Sequence, residues 1–378
     1  MADIIYPMKK QLRYLDAARD AEALSQARIL YTDLDGTLLG RAGCLLVDGE
    51  GRPSARTAAA IVSLNQLGTD ELTIMPCTGR SVTQLLEITR LCGWHDFIAE
   101  VGAIRSYWDA VSGTRETLFD TPEWPAEAGG DGRTPLEIIE AAKGFERLMA
   151  AFPGQLEYHA PWNVNRQATN VLRGRLDYAR AQALLADITP SVTLVENGVI
   201  APTRHGLDAA PLEAGGRPMP IHAYHLVPAG TSKCTAIQAD LRRRDLTRDQ
   251  AIMVGDGLAD LQCAPAVGLC VLVQNALTSH NLNAQIAATP NARLTVGARG
   301  DGWVSLAAAL LTAKAAAKDT GKSSGNGPAD LHDLHAPHNL NSPHGPGNPH
   351  APSTPSAPHN PHDPHNADNT LPPTKGGQ

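Results

Sequence analysis

In the stretch ARILYTDLDGTLLG, Asp33 and Asp35 stand two residues apart directly after the apolar run Ile29, Leu30 and Tyr31, and Gly36 and Thr37 follow at once. Two further acids occur in VGDGLAD, where the spacing of Asp256 and Asp260 puts both on one side of a starting helix turn. Two carboxylates about 4 Å apart repel by roughly 4 kcal/mol at an effective dielectric of 20. Four in one place, Asp33, Asp35, Asp256 and Asp260, would be driven to take up protons unless a cation sat among them. An all-oxygen donor set with room for water suits Mg²⁺, which keeps much of its hydration and couples to phosphate. The chemistry indicated is phosphoryl transfer. Asp33, at a strand end, can attack phosphorus and form an aspartyl phosphate. Asp35 can protonate the leaving oxygen and later take a proton from the hydrolytic water. That role predicts a pKa raised by burial and by acidic neighbours.

Other residues fit the same reading. PCTGRS follows a strand and sets the Thr78 hydroxyl and the Gly79 amide at the same rim, where with the Leu34 amide they can bind the transferring oxygens. Lys233 opens a helix after Thr231 and Ser232, either of which can cap it, and offsets charge on the phosphoryl group and on Asp33. Gly36 permits an unusual backbone angle just past the strand. Arg80 either binds substrate or pairs with a carboxylate, and Asn275 either reaches the phosphate or serves a turn. Plainer roles exist for each: aspartates at strand ends form turns and caps, Asp260 can complement a helix N-terminus, and lysines are commonly exposed.

The elements that would position these residues alternate. RILYTD reads as a strand, SARTAAAIVSLNQLG as a helix ending at Gly68, ELTIMPC as a strand, SVTQLLEITRLC as a helix and DFIAE as a strand. Such alternation implies a parallel sheet with right-handed crossovers, in which ligands collect beyond the carboxyl ends of the strands. The middle third differs. AIRSYWDAVSGTRETLFD reads as a hairpin turning near Ser112 and Gly113, and TPEWPAEAGGDGRTP as a connection. A helix over 136–151, strands QLEYHA and ATNVLR, a helix over 176–187, and strands VTLVENGVI and PIHAYHLV then form an α+β unit. The sheet resumes with TSKCTAIQADLRRR, AIMVGD and AVGLCVLV. The expected organisation is an α/β, Rossmann-like parallel core in two parts, 1–120 and 228–318, an inserted α+β domain at 121–227, and a disordered tail at 319–378. Within the insert, Asn163, Asn165, Arg166, Arg173 and Arg175 offer a polar, cationic set for sugar hydroxyls or a second anion, or simply a solvated face. His222 and His225 fall on opposite sides of one strand and make no natural metal pair.

Composition narrows the class. The chain has 378 residues, 42% of them hydrophobic, and a net charge of −7, which argues against nucleic acid as the main partner. MADIIYPMKKQLRYLD has no signal-peptide pattern, and no apolar run approaches a membrane span. The six cysteines include no CxxC pair, so reduced thiols and a cytoplasmic location are expected. From Asp319 onward there is no Val, Ile, Phe, Trp, Tyr, Met or Cys, and His332, His335, His338, His344, His350, His359, His362 and His365 lie mostly beside Pro, giving either weak divalent-metal capture or a solvated tail. AAKDTGKS fits a loose phosphate-loop pattern but follows an Ala-rich helix where a phosphate loop needs a strand.

DLDGTL, TGR, Lys233 and GDGLAD, in that order, resemble the four motifs of the haloacid dehalogenase superfamily, and the insert between the second and third resembles that of its Cof-type, sucrose-phosphate-phosphatase-like branch. The likeness spans roughly residues 25–310. It implies a parallel core with an α/β cap and Mg²⁺-dependent phosphoryl transfer. It further implies that Asp33, the Asp35 backbone carbonyl and Asp256 are the protein's metal ligands. Two positions depart from the pattern: Ala259 stands where relatives commonly have Asn, and Val101 replaces Asn in EVGA. The function expected is hydrolysis of a small phosphorylated metabolite, a sugar phosphate above others. A phosphomutase acting on a hexose phosphate, and a non-catalytic module binding sugar phosphate or metal, are the alternatives.

Overall fold

The apolar run before Asp33 becomes strand β1 (Ile29–Thr32), buried at all four positions. That is the mark of a strand covered on both faces. The computed structural model describes residues 11–200, 220–279 and 281–323, all within one compact unit, Met1–Asn326. The further strands among the described residues are β2 (Thr73–Pro76), β3 (Phe97–Ala99), β4 (Ile104–Asp109), β5 (Thr114–Phe119), β6 (Leu156–Tyr158), β7 (Asn170–Gly174), β8 (Val192–Ile200), β9 (Ile221–Pro228), β10 (Ala251–Gly255), β11 (Leu269–Leu272) and β12 (Ala292–Leu294).

Five of them form a parallel sheet in the order β12-β11-β10-β1-β2. Alternate residues feed opposite faces. Leu30, Ile252, Val254 and Val271 pack with Leu24, Ile61, Leu64 and the C-terminal helix residues Trp303, Leu306 and Leu310. Ile29, Tyr31, Met253 and Leu272 pack with Ile237 and Leu241. The helix Arg299–Ser323 is tied down by two polar side chains as well: Trp303 Nε1 donates to Thr32 Oγ1 at 3.1 Å, and Lys314 Nζ donates to the carbonyls of Ala27 at 2.7 Å and Glu71 at 3.3 Å. Among the described residues no helix is long and apolar enough to cross a membrane.

β6, β7, β9 and β8 form a separate antiparallel sheet, backed by the helices Pro135–Ala141, Gly144–Ala151 and Tyr178–Leu185. It has its own apolar cluster, including Phe145, Leu148, Leu172, Leu185, Leu194 and Leu226. The single helix expected over 136–151 is two, because Lys143 takes a left-handed φ of 61°. The break brings Gly144 so close to β9 that a Cβ there would lie 2.8 Å from Leu226 Cδ2.

One other expectation is corrected. β3 joins β4 and β5 in a three-stranded antiparallel sheet and, in place of a ladder, meets the parallel sheet at a parallel bridge between Cys77 and Ile98. The left-handed turn at Glu100 and Val101 ends β3 after three residues and returns the chain into β4. The helix continues through Asp319 to Ser323, so the stretch with the loose phosphate-loop pattern is helical, and the rest of the expected tail lies outside the described residues. The His-rich segment, with all eight of its histidines, lies outside the described residues. The six cysteines are free thiols; Cys77, Cys92, Cys263 and Cys270 are buried.

Candidate functional site

Asp33, Thr78 and Asp256 each follow the carboxyl end of a strand in the parallel sheet, after β1, β2 and β10. Lys233 starts the helix Lys233–Arg243, whose Ser232 forms a capping box with Thr235. The cap fixes where the helix begins, and with it where the ammonium points.

One carboxylate oxygen from each of Asp33, Asp256 and Asp260 lies within 4.8 Å of the others. Lys233 Nζ donates to Asp33 Oδ1 at 2.8 Å and to Asp260 Oδ1 at 2.7 Å, with only 3% of its side chain exposed. Burial alone would push the Lys233 ammonium down, but Asp260 and Asp33 reverse this and hold it well above its usual value. Asp33 moves the other way: burial pushes its carboxyl up to about 7, opposed by Lys233 and reinforced by Asp260 and Asp256. One lysine does not neutralise three acids. The donor set and its residual negative charge fit a divalent cation of the Mg²⁺ type.

The three acids differ in what holds them. Asp260 spends Oδ1 on Lys233, and its Oδ2 accepts from the backbone N–H groups of Asp256 at 3.0 Å and Gly257 at 2.9 Å. It orients the lysine and the Asp256 backbone. Asn275 donates to Asp256 Oδ2 at 2.9 Å and to the Gly36 carbonyl at 3.0 Å, while its own carbonyl accepts from Arg299 N–H. Asn275 is thus a buried brace for Asp256, and it also serves the turn that leads into the helix Ala276–Ser279. Thr37 Oγ1 lies 3.5 Å from Asp33 Oδ2 and 3.4 Å from Asp256 Oδ1, spanning the two acids.

Gly36 is required here on two counts. Its φ is +81°, and a Cβ would fall 2.4 Å from Asp256 Oδ2. Gly36→Ala is therefore expected to displace the Asp256 carboxylate and weaken Mg²⁺ binding by about 10–100-fold, the usual scale for disturbing the groups around a metal ligand. Isothermal titration with MgCl₂ reads this directly.

Asp35 departs from expectation. Its side chain is 55% exposed, and both oxygens accept from Arg80, Oδ2 from Nε at 2.7 Å and Oδ1 from Nη2 at 2.6 Å. The carboxylate stays outside the three-acid cluster, and the expected burial is absent. The chain turns away after Leu34, and the Arg80 guanidinium offers a two-pronged partner. Arg80 takes the carboxylate-pairing role of its two expected ones. Thr78 is buried beside the same loop, with its N–H on the Ile98 carbonyl.

Of the polar residues expected on a solvated face or a second anion site, Arg173 is buried and ion-paired with Glu157, and Arg166 Nη2 donates to the Gly79 carbonyl at 3.0 Å. Asn163 keeps its Oδ1 buried without a partner, and Asn165 is exposed. His222 pairs with Glu196, while His225 is buried beside Thr169, so the two histidines do separate across β9. Sequence reasoning missed Glu100, Thr169 and Asn197, which join these groups at Gly79. A left-handed pair at Glu100 and Val101, with φ of 52° and 56°, has no signal in local propensity.

No protein-family model matches the chain, and no curated protein does. Among solved structures the chain is similar to a protein from Thermoplasma acidophilum, at 15% identity and a TM-score of 0.49 over 75% of this chain and 98% of that one. It is similar to a haloacid dehalogenase-like hydrolase from Bacteroides thetaiotaomicron, at 13% identity and a TM-score of 0.44 over 75% and 98%. A sucrose-phosphatase from Synechocystis, solved with sucrose and phosphate, has 13% identity and a TM-score of 0.46 over 75% and 98%.

Proposed function

We propose that the protein is a Mg²⁺-dependent phosphatase of the haloacid dehalogenase type that hydrolyses a small phosphorylated metabolite, a sugar phosphate. The observation that carries this reading is the cluster of Asp33, Asp256 and Asp260 around Lys233 at the carboxyl ends of parallel strands. In it Asp33, with one oxygen on Lys233 and the other near Thr37, is the nucleophile toward phosphorus. Lys233 and the Thr78 hydroxyl stabilise charge on the transferring oxygens. Asp33, Asp256 and the Asp35 backbone carbonyl would hold the Mg²⁺ ion, whose charge lets an anionic phosphate approach an acidic site.

Asp35 is the proton donor to the leaving oxygen and the later acceptor from water. For that it must leave Arg80, whose two hydrogen bonds now occupy it. An arriving phosphate dianion competes for the same guanidinium and so frees the carboxyl group when it is needed. Residues 121–227, whose sheet stands over the Thr78–Arg80 loop through Arg166, act as the cap that covers the leaving group and excludes water.

The test is a phosphate-release screen over phosphorylated metabolites with and without MgCl₂. Magnesium-dependent release from sugar phosphates supports the reading. Absence of release from the whole set, together with ligand binding that Asp33→Asn leaves unchanged, sinks it in favour of a binding module.

A further inference from the structure

A second set of buried polar groups lies between the loop after β2 and the β6–β9 layer, and the reaction as described uses none of them. Glu100 is fully buried. Its left-handed φ of 52°, continued by 56° at Val101, folds the chain so that Glu100 N–H donates to the Arg80 carbonyl at 3.0 Å and Val101 N–H to the Thr78 carbonyl at 3.0 Å. The same turn thus grips both ends of the Thr78–Arg80 loop.

The Glu100 side chain faces the other way. Its carboxylate accepts from the backbone N–H groups of Gln167 at 3.0 Å, Ala168 at 3.0 Å and Thr169 at 2.7 Å, and from the Thr169 hydroxyl at 3.1 Å. Because the one hydroxyl hydrogen of Thr169 goes to Glu100, its lone pairs are left for Arg166 Nη1 at 3.1 Å and His225 Nδ1 at 3.3 Å. This assigns the His225 proton to Nδ1 and leaves Nε2 to accept from Asn197 Nδ2 at 3.4 Å. Burial, with Arg166, His159 and Lys233 nearby, pushes the His225 ring well below its usual pKa, in keeping with a neutral imidazole.

Both branches end where they began. Arg166 Nη2 donates to the Gly79 carbonyl, and Asn197 and His225 pack so closely on Gly79 that a Cβ there would lie 2.3 Å from Asn197 Nδ2 and 3.3 Å from His225 Nε2. Non-glycine residues in left-handed geometry are strained and persist only where the surroundings over-determine them. Here the surroundings are a closed circuit from the Thr78–Arg80 loop through Glu100, Thr169 and Arg166 back to Gly79.

We propose that Glu100 is a positioning residue that couples occupancy of the phosphate-side loop Thr78–Arg80 to the seating of the β6–β9 layer, acting through Thr169, Arg166 and His225. The inference rests on the phosphatase reading above. A phosphoryl group held at the loop restrains the carbonyls that Glu100 and Val101 grip, and the restraint passes to the layer through the carboxylate. By linkage, the seated layer favours phosphate in turn.

The experiment is hydrogen–deuterium exchange at the amides of 167–169 in the full chain, with and without MgCl₂ plus beryllium fluoride, a stable mimic of an acyl phosphate. It is paired with steady-state hydrolysis of p-nitrophenyl phosphate. In the parent, the mimic is expected to slow exchange at these amides by about tenfold, the scale of one coupled hydrogen bond. Thr169→Val keeps the three backbone donors to Glu100 but removes the hydroxyl link. It is expected to abolish most of the slowing and to raise KM by about tenfold with kcat within about twofold; Thr169→Ser restores both. If Thr169→Val lowers only the melting temperature and leaves KM and ligand-dependent protection intact, the contacts are merely structural and the proposal is overturned. If the parent hydrolyses p-nitrophenyl phosphate with Mg²⁺ but the mimic does not change exchange at 167–169, the coupling alone fails. If the parent neither hydrolyses it nor binds the mimic, the phosphatase reading fails and the coupling with it.

Discussion

Asp33→Asn is expected to lower magnesium-dependent phosphate release by at least about 10⁴-fold, the scale seen when a nucleophile is removed. Its fold should survive, because asparagine keeps the shape of the side chain and Lys233 keeps Asp260 at 2.7 Å. Without metal, Asp33→Asn should be more stable than the parent at alkaline pH. With burial holding the Asp33 carboxyl at about 7 against an ordinary 3.8, the folded state binds its proton more tightly than the unfolded chain does. That stabilisation is full below the ordinary value and is lost as pH climbs through about 7. Asparagine, having no proton to lose, escapes the penalty. Melting curves from pH 4 to pH 9 should therefore show the parent falling relative to Asp33→Asn across this window, and MgCl₂ should recover the parent far more than the variant. Equal pH profiles for the two proteins would remove Asp33 as the titrating group.

Lys233→Met should be the most damaging substitution for stability. The ammonium is almost fully buried between Asp33 and Asp260, and taking it away leaves two buried carboxylates without their cation. Breaking a buried pair in this way costs about 3–5 kcal/mol, which urea unfolding without metal at pH 8 would read as a lower midpoint with an unchanged slope. Phosphate release should fall about 10²–10³-fold as well, the cost of losing one preorganised charge. The stability loss should shrink at pH 5, where Asp33 can take up a proton, and in the double variant Asp33→Asn/Lys233→Met. A loss of the same size in both backgrounds would mean that the lysine stabilises the helix Lys233–Arg243 and not the acids.

Much of this could be read from the chain before its shape was known. Strand signals before Asp33, Thr78 and Asp256 are local, and so is the Ser232 cap that launches Lys233; each depends on neighbours a few residues away. What remained hidden depends on pairings across long separations. The Asp35–Arg80 pair joins two motifs that were each legible, yet nothing in either says that they bind one another. Asn275 bracing Asp256, and Glu100 gathering the amides of Gln167, Ala168 and Thr169, are equally non-local. The helix break at Lys143, which brings Gly144 against Leu226, is of the same kind. Periodicity cannot register a neighbour that the fold delivers from the far side of a sheet.

The helix Arg299–Ser323 bears on how the protein is made. It supplies Trp303 to Thr32, the residue before Asp33, and Lys314 to the carbonyls at Ala27 and Glu71, while β10 on the other flank of β1 comes only slightly earlier in the chain. A ribosome therefore releases β1 with β2 and the helix Arg56–Asn65 long before the segments that close its other edge and complete its cover, and through most of translation one edge of that strand is bare apolar surface of the kind chaperones retain. The cluster of Asp33, Asp256, Asp260 and Lys233 is completed in one late step, when the closing helix emerges and the nascent chain can complete its sheet.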